Sequence, residues 1–206
     1  MPEDGSPGVT GKTRDRASQG QTCGPASTDS IVLVGLMGAG KSCIGRRLAQ
    51  RLNRCFVDAD TEIERAAGCS IADIFAEHGE AYFRSGEKRV IQRLLKTPGQ
   101  VVATGGGAFM DPDTRSAIAE AGRSVWLRAD LELLVRRTSR RNTRPLLRQG
   151  DPREILRRLM DERYPVYALA DVTVEVDEGP PDATVDRVLE QLAAERGESG
   201  SVDAHV

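Results

Sequence analysis

Gly35-Leu36-Met37-Gly38-Ala39-Gly40-Lys41-Ser42 is the stretch on which the fold turns. It satisfies the pattern G-x-x-x-x-G-K-[ST], and its flanks carry as much information as the match. Ile31-Val32-Leu33-Val34 before it reads as a short buried strand, and the residues from Cys43 to Leu52 after it carry helical spacing. A glycine-rich turn between strand and helix lets successive N–H groups curl around phosphate oxygens without a Cβ in the way. The helix opening near Lys41 adds the positive end of its dipole. On this reading Gly38, Ala39, Gly40, Lys41, Ser42 and Cys43 cradle the phosphates of a nucleotide. Lys41 reaches the β- and γ-phosphates, and the Ser42 hydroxyl ligates Mg²⁺. A plain connecting turn is the alternative, and the correct strand and helix on either side argue against it.

Working outward, short apolar runs alternate with amphipathic segments. Strands are predicted at Ile31–Val34, Cys55–Val57, Val101–Ala103, Val125–Leu127 and Val172–Val176. All but the last are almost uniformly apolar, as strands covered on both faces are. In the last, Thr173 and Glu175 alternate outward, which marks an edge. Helix punctuation lies between them: Ser70 with Asp73 as a capping box, Asp111-Pro112 and Asp151-Pro152 as N-cap followed by proline, and Gly122 as a C-cap. Strand–helix alternation of this kind predicts βαβ units, hence a three-layer α/β fold around a five-stranded parallel sheet.

The ends read differently. Residues 1–29 are rich in Gly, Ser, Thr, Pro and charge, and 197–206 resemble them. Such segments cannot bury enough apolar surface to offset ordering entropy, so both are expected to be disordered tails around a domain at 30–196. A net charge of -2 gives no global field for nucleic acid or anionic membrane. The arginines concentrated between Arg128 and Arg163 therefore suggest a local anion site, with part of them on a solvated helix face. No run of about 20 apolar residues is present to span a bilayer. The first residues include acids and lack the apolar core of a secretory signal, so a cytoplasmic location is expected. Cys23, Cys43, Cys55 and Cys69 show neither a Cys-x-x-Cys pair nor ligand spacing with histidine, and they read as free thiols.

A second constellation lies downstream. Asp58-Ala59-Asp60 closes the second strand, where acids face the phosphate loop in a parallel sheet. Capping of the following helix is the plain reading of Asp60. Phe83-Arg84 is followed one turn later by Glu87, and Gly105-Gly106-Gly107 directly follows the third strand. Three successive glycines cost backbone entropy, which points to close approach by another group. Thr104 stands where many phosphate-loop proteins place a second metal-supporting acid, which leaves Asp58 for that task. Arg144-Pro145-Leu146-Leu147 and Arg163-Tyr164-Pro165-Val166-Tyr167 complete the set.

In this order and spacing, G-x-x-G-x-G-K-S, D-x-D, F-R-x-x-E, G-G-G, R-P-L-L and R-x-P-x-Y resemble the shikimate kinase family. The resemblance runs from about Ile31 to Arg196. It implies a nucleoside-monophosphate-kinase-like fold with a lid at about 138–150. It also implies transfer of a phosphoryl group from ATP to the 3-hydroxyl of shikimate, a step of aromatic amino acid biosynthesis, with Mg²⁺ as cofactor. Carried over residue by residue, Asp60 matches the acid that holds the substrate hydroxyls and acts as base. Asp58 matches the one supporting the Mg²⁺ water shell. Arg84 and Arg163 match the carboxylate clamp, and Gly105, Gly106 and Gly107 line the same pocket. Arg144 matches the lid arginine, and Arg137 a position that stacks on adenine. A planar guanidinium takes a carboxylate bidentately, which an ammonium cannot, so arginine suits the clamp.

Three features differ from the family pattern. Cys43 stands where Thr or Ser is usual, Gly86 interrupts the helix carrying Arg84, and Asp177-Glu178-Gly179-Pro180-Pro181 is acidic where relatives often carry a basic residue. A gluconate-type or nucleoside-monophosphate kinase would share the phosphate loop and lid but not the D-x-D, G-G-G and R-x-P-x-Y set. A regulator that binds ATP without transferring it would not need the acceptor residues. A monomer is the expectation.

Overall fold

The computed structural model describes residues 28–139 and 150–199. The elements run β1 (Ser30–Val34), α1 (Lys41–Arg51), β2 (Phe56–Asp58), α2 (Ala59–Ala67), α3 (Ile71–Leu95), β3 (Val101–Ala103), a 3₁₀ turn (Ala108–Met110), α4 (Pro112–Ala121), β4 (Gly122–Ala129), α5 (Leu131–Ser139), α6 (Pro152–Tyr167), β5 (Val172–Val176) and α7 (Pro181–Ser199). Helix α7 thus extends past the boundary expected at residue 197.

The sheet order is β2-β3-β1-β4-β5, and every pairing is parallel. All five residues of β1 are buried, because the central strand is covered from both faces. At the edge, β5 alternates as its sequence predicts, with Thr173 and Glu175 exposed. Leu33, Leu48, Ile91, Leu127, Leu134 and Leu156 are almost wholly excluded from water. Each such side chain contributes about 1.5–3 kcal/mol relative to exposure. A smaller cluster of Ile63, Ile74 and Phe83 sits between α2 and α3, apart from the main core.

Local signals explain most boundaries. Ser70 and Asp73 form the capping box that opens α3, and Asp111 and Asp151 cap α4 and α6 ahead of their prolines. Gly122 follows α4 as expected, but close approach is what demands glycine there: an added Cβ would collide with the Ser30 backbone. Asp58, not Asp60, caps α2, with its side chain accepting from the Asp60 N–H. Gly86 stays helical. The break in α3 falls at Gly79, whose φ of 77° is open to glycine and disfavoured for other residues. Cys43 and Cys69 are free, whereas Cys55 is disulfide-bonded. Spacing along the chain does not reveal which cysteines approach in space, so the expectation of four free thiols fails there.

Candidate active site

Because the sheet is parallel, loops leaving the carboxyl ends of its strands gather on one edge. β1 delivers the loop from Gly35 to Gly40, β2 delivers Asp58, and β3 delivers Thr104 and the glycine run. In the first loop Gly38 and Gly40 take φ of 87° and 97°, a region that other residues enter at a cost. The Lys41 ammonium arches back over this loop, donating to the carbonyls of Gly35 at 2.7 Å and Leu36 at 3.1 Å. Ser42 Oγ donates to Asp58 Oδ2 at 2.6 Å, while Asp58 Oδ1 accepts the Asp60 N–H at 3.2 Å. One carboxylate therefore caps α2 and holds the hydroxyl at the start of α1. Asp60, in the first turn of α2, faces the same space.

A cavity of about 390 Å³ joins these groups, lined by Gly38, Gly40, Lys41, Ser42, Cys43, Asp58, Asp60, Gly106 and Arg137. Ala39, by contrast, is buried beneath the loop. At the far end Arg137 donates to the Asp177 carbonyl at 2.8 Å and reaches the Gly38 carbonyl at 3.4 Å. It thus ties the phosphate loop to the segment after β5, and Gly179, Pro181 and Thr184 finish the wall. The acidity of that segment is locally offset: Arg136 pairs with Glu178 and Arg187 with Asp177.

The glycine run carries the second half of the site. Arg84 donates to Glu87 at 2.7 Å and to Glu80 at 3.1 and 3.2 Å. Its guanidinium lies where a Cβ on Gly107 would stand, so only glycine admits it. Arg163, 7% exposed, donates to the Gly106 carbonyl at 2.9 Å, and its Nε has no hydrogen-bond partner. The two arginines, distant in sequence, therefore bracket adjacent glycines. A Cβ on Gly105 would meet Glu87 Oε1 at 2.5 Å and Asp60 Oδ1 at 2.9 Å, so those carboxylates converge as well.

Electrostatics follow from burial. Desolvation, with the charge of Asp60 acting in the same direction, raises the pKa of Glu87 above the ordinary carboxylate range, and Arg84 and Arg163 oppose it. Burial works to lower the pKa of Arg84, but Glu87 and Glu80 more than offset it, and the guanidinium stays charged.

The donor set at Ser42 and Asp58 suits Mg²⁺. Both groups offer hard oxygen atoms, and this ion commonly takes one or two protein oxygens and completes its shell with phosphates and water. Among the described residues no group of three or more His, Cys, Asp or Glu could hold a metal by itself.

Arg144 and most of the expected lid lie outside the described residues. Several wall residues carry no signal in the sequence. Arg46 and Thr184 line the cavity without belonging to any motif, and Thr138 lines it from the first position of the expected lid. Thr104, noted only for the acid it replaces, lines the cavity while its hydroxyl donates to the Leu33 carbonyl at 3.0 Å. Glu87 is a motif position in the sequence, and its near-complete burial has no sequence signal. No helix among the described residues is long and apolar enough to cross a membrane.

Comparison with known proteins gives a consistent result. The family profile described as shikimate kinase matches residues 37–193. The shikimate kinase of Paramagnetospirillum magneticum is 65% identical over 163 residues, covering 79% of this chain and 84% of that protein. The shikimate kinase of Caulobacter vibrioides is 55% identical over 168 residues, covering 82% and 84%. Among solved structures, shikimate kinase from Acinetobacter baumannii in complex with shikimate superposes with a TM-score of 0.79 at 38% identity, covering 82% of this chain and 95% of that one. Since the family match extends from within the phosphate loop through both arginines and the glycine run, the chain belongs to the shikimate kinase family.

Proposed function

We propose that this shikimate kinase works in the crevice above the carboxyl ends of β1, β2 and β3. ATP would lie with its phosphates on Gly38–Cys43 and its base beside Arg137. Shikimate would lie over Gly105–Gly107. The observation that carries this reading is the meeting of two half-sites at one sheet edge: the Ser42–Asp58 pair on one side, and two arginines bracketing a glycine run on the other.

In the reaction, the 3-hydroxyl oxygen of shikimate forms a bond to the γ-phosphorus, the bond from that phosphorus to the β,γ-bridging oxygen breaks, and ADP leaves. The hydroxyl proton passes to Asp60, which also aligns the attacking oxygen. Lys41 neutralises charge on the phosphates, and Arg144, outside the described residues, would add its charge there, as the family resemblance implies. Arg84 and Arg163 hold the substrate carboxylate. Such transfer needs positioning and charge neutralisation more than covalent help, which matches the residue types gathered here. Mg²⁺, held through Ser42 and the water shell supported by Asp58, would supply further neutralisation of the phosphate oxygens.

A coupled assay of ADP release with shikimate, gluconate and nucleoside monophosphates tests the reading. Shikimate should be the efficient acceptor, and preference for either of the others would overturn it. The use of ATP and a small metabolite supports a cytoplasmic location. A monomer suffices for this site, since both half-sites come from one chain; light scattering on the purified enzyme checks it.

A further inference from the structure

Tyr167 takes no part in the reaction just described, yet its hydroxyl is tied to the acceptor half-site. It ends α6, one turn beyond Arg163, and its side chain is fully buried. Its ring packs among Phe109, Trp126 and Tyr164, with centroid separations of 5.9–6.4 Å. That apolar surrounding gives the hydroxyl few choices. It donates to the carbonyl of Gly106, the same oxygen that accepts from Arg163. The two lone pairs of one backbone carbonyl are thus taken by two side chains of one helix.

The consequence is geometric. A carbonyl and the N–H of the following residue share one rigid plane and point in opposite directions. Holding the Gly106 oxygen toward α6 therefore fixes the orientation of the Gly107 N–H. It also restrains the middle of a run whose glycines would otherwise be the most freely turning residues in the site. Without the hydroxyl, Arg163 alone would hold that oxygen, and the peptide between Gly106 and Gly107 would be restrained at one point instead of two. Burial, partly offset by Arg163, pushes the Tyr167 phenol up to about 12, so it remains a proton donor throughout the working range.

We propose that Tyr167 is a positioning residue for shikimate, acting through the Gly106 carbonyl and Arg163 rather than by contact with substrate. The proposal rests on the reading that the glycine run lines the acceptor site.

The test is Tyr167→Phe in the full chain, which keeps the ring and removes only the donor. KM for shikimate should rise about five- to thirtyfold, the range for a lost buried hydrogen bond of this kind. KM for ATP should move less than about twofold. A purely structural role would instead lower Tm and leave the ratio of the two KM values unchanged, and that result overturns the proposal. Arg84→Lys is run alongside. If it fails to weaken shikimate selectively, the acceptor-site reading itself has failed. If it weakens shikimate while Tyr167→Phe behaves as wild type, only the role of Tyr167 has failed. Should Tyr167→Phe not fold, the wild-type enzyme carries the test by NMR. The Tyr167 hydroxyl proton should exchange slowly, show an NOE to the Gly106 α-protons and shift when shikimate is added. Absence of the NOE or of the shift overturns the proposal.

Discussion

Arg84 and Glu87 form a closed pair one helical turn apart, 2.7 Å between Nη1 and Oε2, with the Glu87 side chain only 3% exposed. The pair presses the guanidinium onto Gly107 and leaves its plane fixed. A lysine at position 84 keeps the charge but loses the fork. Arg84→Lys and Arg163→Lys should each reduce kcat/KM for shikimate by about ten- to hundredfold, corresponding to about 1.5–3 kcal/mol for a charge-assisted contact. KM for ATP should barely change. Steady-state kinetics with each substrate varied in turn decides it. Equal, small effects on both would mean that Arg84 serves only its helix.

Glu87 supplies a pH test. Its carboxyl is raised chiefly by burial, so the folded protein keeps this proton at pH values where the unfolded chain, near 4.5, has released it. The folded state then binds more protons, and stability must fall as pH rises from the unfolded pKa through the folded one. Above the folded pKa the effect levels off. Glu87→Gln removes this contribution. Urea unfolding of both proteins across about pH 4 to 8 should show the wild-type advantage shrinking as pH rises and then becoming flat. An advantage that grows with pH would mean the ion pair with Arg84 outweighs burial.

Much of this site was legible in the chain, for identifiable reasons. The loop Gly35–Ser42 was readable because strand, glycines and helix are contiguous. Predicted strands at Val101–Ala103 and Val172–Val176 match β3 and β5 residue for residue, since each is an apolar or alternating run with clear ends. β4 is longer than predicted. It begins at Gly122-Arg123-Ser124, which carries no apolar signal, and is held there by pairing with β1 and by Ser124 donating to Asp171 at 2.6 Å. The capping role moved from Asp60 to Asp58 because both acids fit the preference and only the chain path decides. Tyr167 stands in the R-x-P-x-Y motif, but its role does not show there, for a different reason. Its partner is a backbone carbonyl 61 residues away, and no residue type advertises a carbonyl.

Asp58 performs two tasks that one substitution separates. As N-cap it needs a side-chain oxygen, which asparagine supplies about equally well. As support for a cation it needs negative charge, which asparagine lacks. Asp58→Asn should therefore leave Tm nearly unchanged. The Mg²⁺ concentration for half-maximal rate should rise by about tenfold or more, the scale of losing a group that orients a metal's shell. Titrating Mg²⁺ against activity at saturating ATP and shikimate measures this. An unchanged Mg²⁺ requirement with a large drop in Tm would reduce Asp58 to a cap.

The glycine run gives the sharpest ordering, because its members face different neighbours. A Cβ on Gly107 would overlap Nη1, Cζ and Nη2 of Arg84, and one on Gly105 would crowd Glu87 Oε1 at 2.5 Å and Asp60 Oδ1 at 2.9 Å. On Gly106 a Cβ would meet nothing closer than 3.6 Å, an ordinary contact. None of the three takes a positive φ, so backbone strain does not decide the matter. The crowded atoms at 105 and 107 are ends of side chains, which can move aside at small cost to the fold. Two of them, Arg84 and Asp60, are also groups assigned to the acceptor, and Glu87 is the ion-pair partner of Arg84. Gly107→Ala and Gly105→Ala should thus spare Tm while lowering kcat/KM for shikimate at least about tenfold, through displaced Arg84 or displaced Glu87 and Asp60. Gly106→Ala should be the mildest of the three. Gly122→Ala is the control of opposite kind, since its Cβ would strike the Ser30 backbone, which cannot step aside. That variant should lose stability, by about 1–3 kcal/mol or more, without a selective effect on shikimate. Measuring Tm and both KM values for the four alanine variants tests the whole ordering. A Gly106→Ala enzyme worse than Gly107→Ala would show that the middle glycine, and not Arg84's seat on Gly107, governs the acceptor site.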